Sequence, residues 1–279
     1  MRIDFFEEFP TKRNMAKVGL IDFRSTIYVA ARSLAEFRGI ERRLGKAHRN
    51  IELAYWPITK GSYWISPFAH RHELEKLFDD LGGNRRKLKV LFDLELPMMA
   101  KSLFVRNARQ FLSNKRLIES RMSDLSRSNT EILTAEYPAI GRRTLSLMRT
   151  LGVSASMKKF KHRKIFMCYS SIYPKRFGRL VRGFISKEVP KNKMYHVAVG
   201  LIKEGILSVT GRVKRRRLLT PEGLDRDLSF LERAGVGSAT IFRLGGLDTE
   251  YLDVIRKYTR VPRAVGRKTS KARQRTASE

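Results

Sequence analysis

The run Lys89-Val90-Leu91-Phe92-Asp93-Leu94-Glu95-Leu96-Pro97 decides how the rest of the chain is read. A compact apolar stretch, Val90 to Phe92, has the form of a buried strand. It delivers two carboxylates, Asp93 and Glu95, and stops at Pro97, which has no amide hydrogen to offer a sheet. Asp93 and Glu95 are two residues apart, so both leave the strand on the same side.

Outward from this stretch the pattern repeats. Further strands are expected at residues 3–9, 26–31, 51–56, 131–137, 164–169, 195–202 and 238–243. A short polar segment, Thr11 to Lys17, follows the first of them, and helical spacing follows the others. Leu34, Phe37, Ile40 and Leu44 recur after a capping Ser33. Leu74, Leu77, Phe78 and Leu81 do so over 70–81, where Gly82-Gly83-Asn84 ends the helix. A long helix is expected from Met98 to about Met122, and others over 140–151 and around Tyr173 to Val181. Thr220-Pro221 opens one that reaches Ala234, and Asp248 or Thr249 caps the last, which ends near Tyr258.

Eight strand–helix units imply a parallel sheet with helices outside it. Their span of roughly 250 residues is that of a closed (β/α)8 barrel. An open doubly wound sheet would carry a glycine-rich fingerprint after its first strand; here that place holds Glu7, Glu8 and Pro10. The α/β barrel domain is therefore expected over residues 1–258. Residues 259–279, basic and without apolar periodicity, read as a disordered tail.

The 279 residues carry 58 Lys and Arg against 27 Asp and Glu, a formal net charge of +31. That field favours polyanions: nucleic acid, an acidic surface or a phosphorylated substrate. The tail is a candidate for such non-specific contacts. Cys168 is the only cysteine, which excludes an internal disulfide and a cysteine-rich metal site, and it is assigned to packing. No stretch approaches the roughly 18 apolar residues of a membrane span. The acidic N-terminus is unlike a signal peptide, so a cytoplasmic protein is expected.

Three strands share one ending: Glu8-Phe9-Pro10, Glu95-Leu96-Pro97 and Glu136-Tyr137-Pro138. Strand ends on the C-terminal face of a barrel surround one mouth, where active sites sit, so Glu8, Asp93, Glu95 and Glu136 are expected to converge there. Clustered carboxylates can hold Mg²⁺ or Ca²⁺, or divide acid and base roles on a glycosidic bond. Glu95, Glu136 and Asp93 are the catalytic candidates. Arg243 and the Gly245-Gly246 turn before the last helix, with the basic loop around Lys203, Arg212 and Lys214 to Arg217, suggest an anion site. Trp56 and Trp64 lie in an aromatic cluster suited to stacking on a sugar or base. His70 and His72 have metal-pair spacing but open a helix, where their side chains should diverge.

Over Arg2 to Tyr258 the layout resembles the (β/α)8 barrel superfold. Glycerophosphodiester phosphodiesterases share the fold and clustered acids, but their N-terminal His-Arg-Gly motif is missing here. Retaining glycosidases of barrel type place acids on strands four and seven, where Glu95 and Glu204 would stand. The expected function is a barrel hydrolase acting on a phosphodiester or phosphorylated sugar. A metal-free glycosidase and a non-catalytic anion- or nucleic-acid-binding barrel are the alternatives.

Overall fold

The computed structural model describes residues 1–45, 48–97, 102–202 and 218–259. The basic loop with Lys203, Glu204, Arg212 and Lys214 to Arg217, the start of the helix expected from Met98, and residues 260–279 lie outside the described residues.

The strands are β1 (Arg2–Glu7), β2 (Ser25–Ala31), β3 (Ile51–Pro57), β4 (Leu88–Asp93), β5 (Thr130–Glu136), β6 (Arg163–Met167), β7 (Tyr195–Gly200) and β8 (Ser238–Phe242). Each pairs in parallel with the next, and β8 returns to β1, so the sheet closes into a barrel. The helices are α1 (Lys12–Ala16), α2 (Leu34–Leu44), α3 (Arg71–Gly82), α4 (Ser102–Arg106), α5 (Phe111–Ser126), α6 (Arg142–Thr150), α7 (Lys175–Glu188), α8 (Pro221–Arg233) and α9 (Thr249–Thr259). Local chemistry sets several starts. Ser33 accepts the Glu36 amide ahead of α2, and Thr220 accepts that of Gly223, with Pro221 at the first helical position of α8. The single helix expected from Met98 to Met122 is instead α4, a 3-10 turn over Ala108–Gln110, and α5.

Closure divides the side chains of each strand between two apolar layers. Alternate residues from all eight strands, among them Phe6, Tyr28, Trp56, Leu91, Leu133 and Phe242, meet inside the barrel. Their neighbours in sequence, such as Phe5, Val90, Phe92 and Ile132, pack outward with the helices. Trp56 thus belongs to the barrel's own filling, 5.4 Å from the Phe6 ring. Cys168 is buried, as its assignment to packing requires, and burial raises its thiol pKa far above the ordinary range.

The alternation takes Glu136 away from the mouth. In β5 the inward residues are Leu133 and Ala135, so Glu136 faces the helix layer. There it accepts Lys164 Nζ at 2.8 Å, Ser154 Oγ at 2.7 Å, the Ala155 amide at 3.1 Å and Thr134 Oγ1 at 2.7 Å. The side chains of the Glu136–Lys164 pair are 1% and 4% exposed. Removing one member of a buried pair strands the other, typically at about 3–5 kcal/mol. Glu136→Gln is therefore expected to lower unfolding stability by about 3 kcal/mol, read as a reduced midpoint in urea denaturation.

Candidate active site

Parity places the remaining acids. Phe6 points inward, so Glu8, two residues on, also does; Leu91 points inward, and so do Asp93 and Glu95. The ladder continues past β4, where the Leu94 amide bonds Ala135 O at 2.9 Å. Asp93 pairs with Ala135, which sets Glu95 level with Tyr137. The Tyr137 hydroxyl accordingly donates to Glu95 Oε2 at 3.2 Å, and Trp64 hydrogen-bonds the same carboxylate. Tyr63 donates its hydroxyl to Glu8 Oε1. It does so from φ 67°, a left-handed conformation uncommon outside glycine. Tyr169 completes the ring, close enough to feel the charge of Glu95, Asp93 and Glu8.

These carboxyls lie in a dry, mutually repulsive setting, and all three hold their protons more tightly than usual. Burial raises Asp93 well above the ordinary carboxylate range, and the charges of Glu95 and Glu8 raise it further. Asp93 Oδ1 is buried with no hydrogen-bond partner among the described residues. Burial lifts Glu95 to about 7 against the opposing hydrogen bonds of Tyr137 and Trp64. Glu95 keeps a partial opening to solvent, whereas Asp93 and Glu8 are 4% exposed. Burial also lifts Glu8 to about 7, although Tyr63 and Arg243 favour its charged form. Beside Glu8 a cavity of about 500 Å³ opens, lined in part by Arg32, Glu36, Lys60 and Tyr63.

The expected anion site is taken by the chain itself. The Gly245 amide donates to Glu7 Oε2 at 2.6 Å, and Glu7 Oε1 accepts the Phe9 amide and Asn14 Nδ2. A Cβ at Gly245 would lie 2.7 Å from Asn14 Nδ2 and 3.1 Å from Glu7 Oε2, so glycine is needed for this internal contact. Gly246 continues the same buried turn. Arg243 is 2% exposed, with Nη1 3.3 Å from Glu8 Oε2 and its guanidinium 4.2 Å above the Phe9 ring. Both expected substrate-binding features therefore serve carboxylates at the end of β1, Glu7 and Glu8.

Of the expected metal ligands, Glu8, Asp93 and Glu95 share the mouth and Glu136 does not. Among the described residues no three His, Cys, Asp or Glu side chains are placed to hold a metal ion together. The His70 and His72 rings do not diverge; they are 5.9 Å apart and nearly parallel. His70 precedes the helix in extended conformation, so helical geometry does not separate the pair. Tyr63 belongs with Trp56 and Trp64 to the aromatic cluster expected after the third strand, whereas Tyr137 and Tyr169 are site residues that the sequence reading does not single out. Counting by twos from Leu133 leads to Tyr137 and would have found it.

The described residues thus form a closed (β/α)8 barrel with a proton-holding acidic mouth. The sequence matches no protein-family model and no curated protein. Solved structures share its fold. A GH18 chitinase from Pseudoalteromonas aurantia has a TM-score of 0.55 at 9% identity, covering 92% of this chain and 100% of that one. A class V chitinase from Pseudomonas fluorescens gives 0.54 at 10% identity, covering 93% and 99%. The PgaB glycoside hydrolase domain from Bordetella bronchiseptica gives 0.51 at 10% identity, covering 92% and 98%. These neighbours are glycoside hydrolases, and at such identities the likeness is one of fold.

The raised carboxyls set the sign of a pH effect on stability. Folded Glu95 keeps its proton up to about 7, whereas an unfolded glutamate releases it near its ordinary value of 4.5. The contribution is present in full below 4.5 and is lost as pH rises through 7. Glu95→Gln, which cannot ionise, is expected to melt above the wild type at pH 8 and level with it at pH 4, by thermal denaturation at both.

Proposed function

We propose that this chain is a glycoside hydrolase that acts without a metal, with Glu95 as general acid/base and Asp93 as its partner. The observation that carries the proposal is the Asp93–Glu95 pair. Both carboxyls leave the end of β4 on the inward side, and both stay protonated toward neutral pH. A protonated carboxyl at a barrel mouth can give its proton to a departing glycosidic oxygen. Trp64 and Tyr137 fix Glu95, and the neighbouring rings form an amphipathic wall of the kind sugars pack against.

Glu136 is outside the barrel, and Glu8 is held by Arg243 and Tyr63. A sugar bearing a 2-acetamido group can supply its own nucleophile, as some hydrolase families require. The acetamido oxygen bonds to the anomeric carbon as the glycosidic C–O bond breaks and Glu95 protonates the leaving oxygen. Water then attacks that carbon, returns a proton to Glu95 and reopens the ring. Asp93, whose buried Oδ1 has no hydrogen-bond partner among the described residues, is the group assigned to the charge that develops. The chitinase neighbours support this choice of substrate class: chains of N-acetylated amino sugars.

The phosphodiester and phosphorylated-sugar alternatives have less support. Arg243 and Gly245, the residues that suggested them, contact Glu8 and Glu7. Among the described residues the three carboxylates of the mouth are not placed to hold Mg²⁺ or Ca²⁺ together.

On a chromogenic chitooligosaccharide, Glu95→Gln is expected to lower kcat by about a thousandfold and Asp93→Asn by a smaller factor. The wild-type rate should fall as pH rises through about 7, where Glu95 loses its proton. Dialysis against EDTA should leave the rate unchanged. Wild-type turnover in Glu95→Gln would refute the assignment.

A further inference from the structure

Among the described residues, five of the seven exposed large apolar side chains gather on one part of the barrel, Leu20 and Leu218 lying elsewhere. Val105, Leu112, Leu147, Phe177 and Leu180 lie on α4 to α7, the three consecutive sectors that follow β4, β5 and β6. Val105 is 82% exposed, Leu112 64% and Leu147 58%. All five belong to the first two turns of their helices, and each sector leaves the C-terminal end of a strand. Phe104 and Phe111 both pack on Phe68, in the loop after β3, which holds α4 and the start of α5 at that same end. The five residues therefore rim the mouth along one side.

Their polar company is cationic. Arg106, Arg109, Arg142, Arg143, Arg176 and Arg179 are exposed in the same helices or the turn between them. No Asp or Glu occurs between residues 102 and 118 or between 137 and 187. Helix stability does not account for these charges. Neither α6 nor α7 has an acid in its first turn, and cations there oppose the helix dipole. Nor does core packing account for α6, which buries no side chain fully.

We propose that this rim docks on an anionic lipid surface, the arginines against headgroups and the five apolar side chains at the acyl boundary. Each half of the pattern is explained by such a surface. A nucleic acid would neutralise the arginines but leave Val105, Leu112, Leu147 and Leu180 facing water. Only Phe177 among the five offers a ring to a base. The contact is peripheral, since no described helix is long and apolar enough to cross a membrane. It rests on the rim and not on the hydrolase assignment, and its test requires no turnover.

The full chain is sedimented with phosphatidylcholine vesicles, with and without roughly one third phosphatidylserine, at about 0.15 M salt. Binding to the anionic vesicles is expected to exceed binding to the neutral ones by at least about tenfold. Phe177→Ser with Leu180→Ser should weaken it about tenfold, and Arg142→Glu with Arg143→Glu about thirtyfold or more. Circular dichroism verifies the fold of each variant. If the α7 pair fails to fold, Leu147→Ser on α6 replaces it, with weaker binding again expected. The proposal is overturned if the chain ignores anionic vesicles, or if the folded apolar variants bind them as the wild type does. It is equally overturned if the charge-reversed variant keeps wild-type binding, which would assign the contact to residues 260–279, or if a DNA duplex displaces the vesicles.

Discussion

A strand in a closed parallel barrel alternates its side chains between an enclosed interior and a helix-covered exterior, and no side chain can take an intermediate position. The placement of the inward carboxyls and of Tyr137 follows from that constraint and from the register between neighbours. The pairing of Asp93 with Ala135 is the decisive one. It sets Glu95 opposite Tyr137, not Glu136, so a hydroxyl meets the carboxyl across the β4–β5 boundary. It also sends Glu136 outward to a buried ammonium. A register one residue different would place two glutamates side by side in the mouth and leave Lys164 without its counter-ion.

The mouth is then governed by desolvation. Among the described residues, Glu8, Asp93 and Glu95 face inward with Arg243 as a cation against Glu8. Tyrosine hydroxyls and an indole supply further polar contacts among the described residues. Neutral donors orient a carboxyl without giving it a compensating charge, so burial prevails and the acids retain protons. Such a site suits chemistry that begins with proton donation. It is also unfavourable for folding above neutral pH, a familiar tension between stability and function in catalytic clefts.

The barrel was legible in the sequence because its signals are local and repeated eight times: short apolar runs, helical periodicity, caps such as Ser33 and Thr220. The Asp93–Glu95 pair was legible because period two holds within one strand. The shared Glu-x-Pro ending misled for Glu136, since proline marks where a strand stops and not which face its last residues take. The Gly245 turn did offer its amide to an anion, as glycine before a helix suggests, but the anion is Glu7, from a segment 238 residues away. Arg243 found Glu8 across a similar separation. Such pairings depend on tertiary closure, which no local pattern encodes. The histidine pair was misjudged because helix geometry was extended one residue too far.

The contacts that close the barrel on its mouth side join segments more than 230 residues apart. Glu7 reaches Gly245, Glu8 reaches Arg243, and at the other side the N-terminal amine bonds Tyr258 O. During synthesis, then, Glu8 leaves the ribosome long before its counter-ion exists. The electrostatics of the mouth cannot be assembled from any N-terminal portion of the chain, however much sheet that portion has formed. Proton affinity at this site is a property of the closed ring, and it comes into being in the same event that seals β8 against β1.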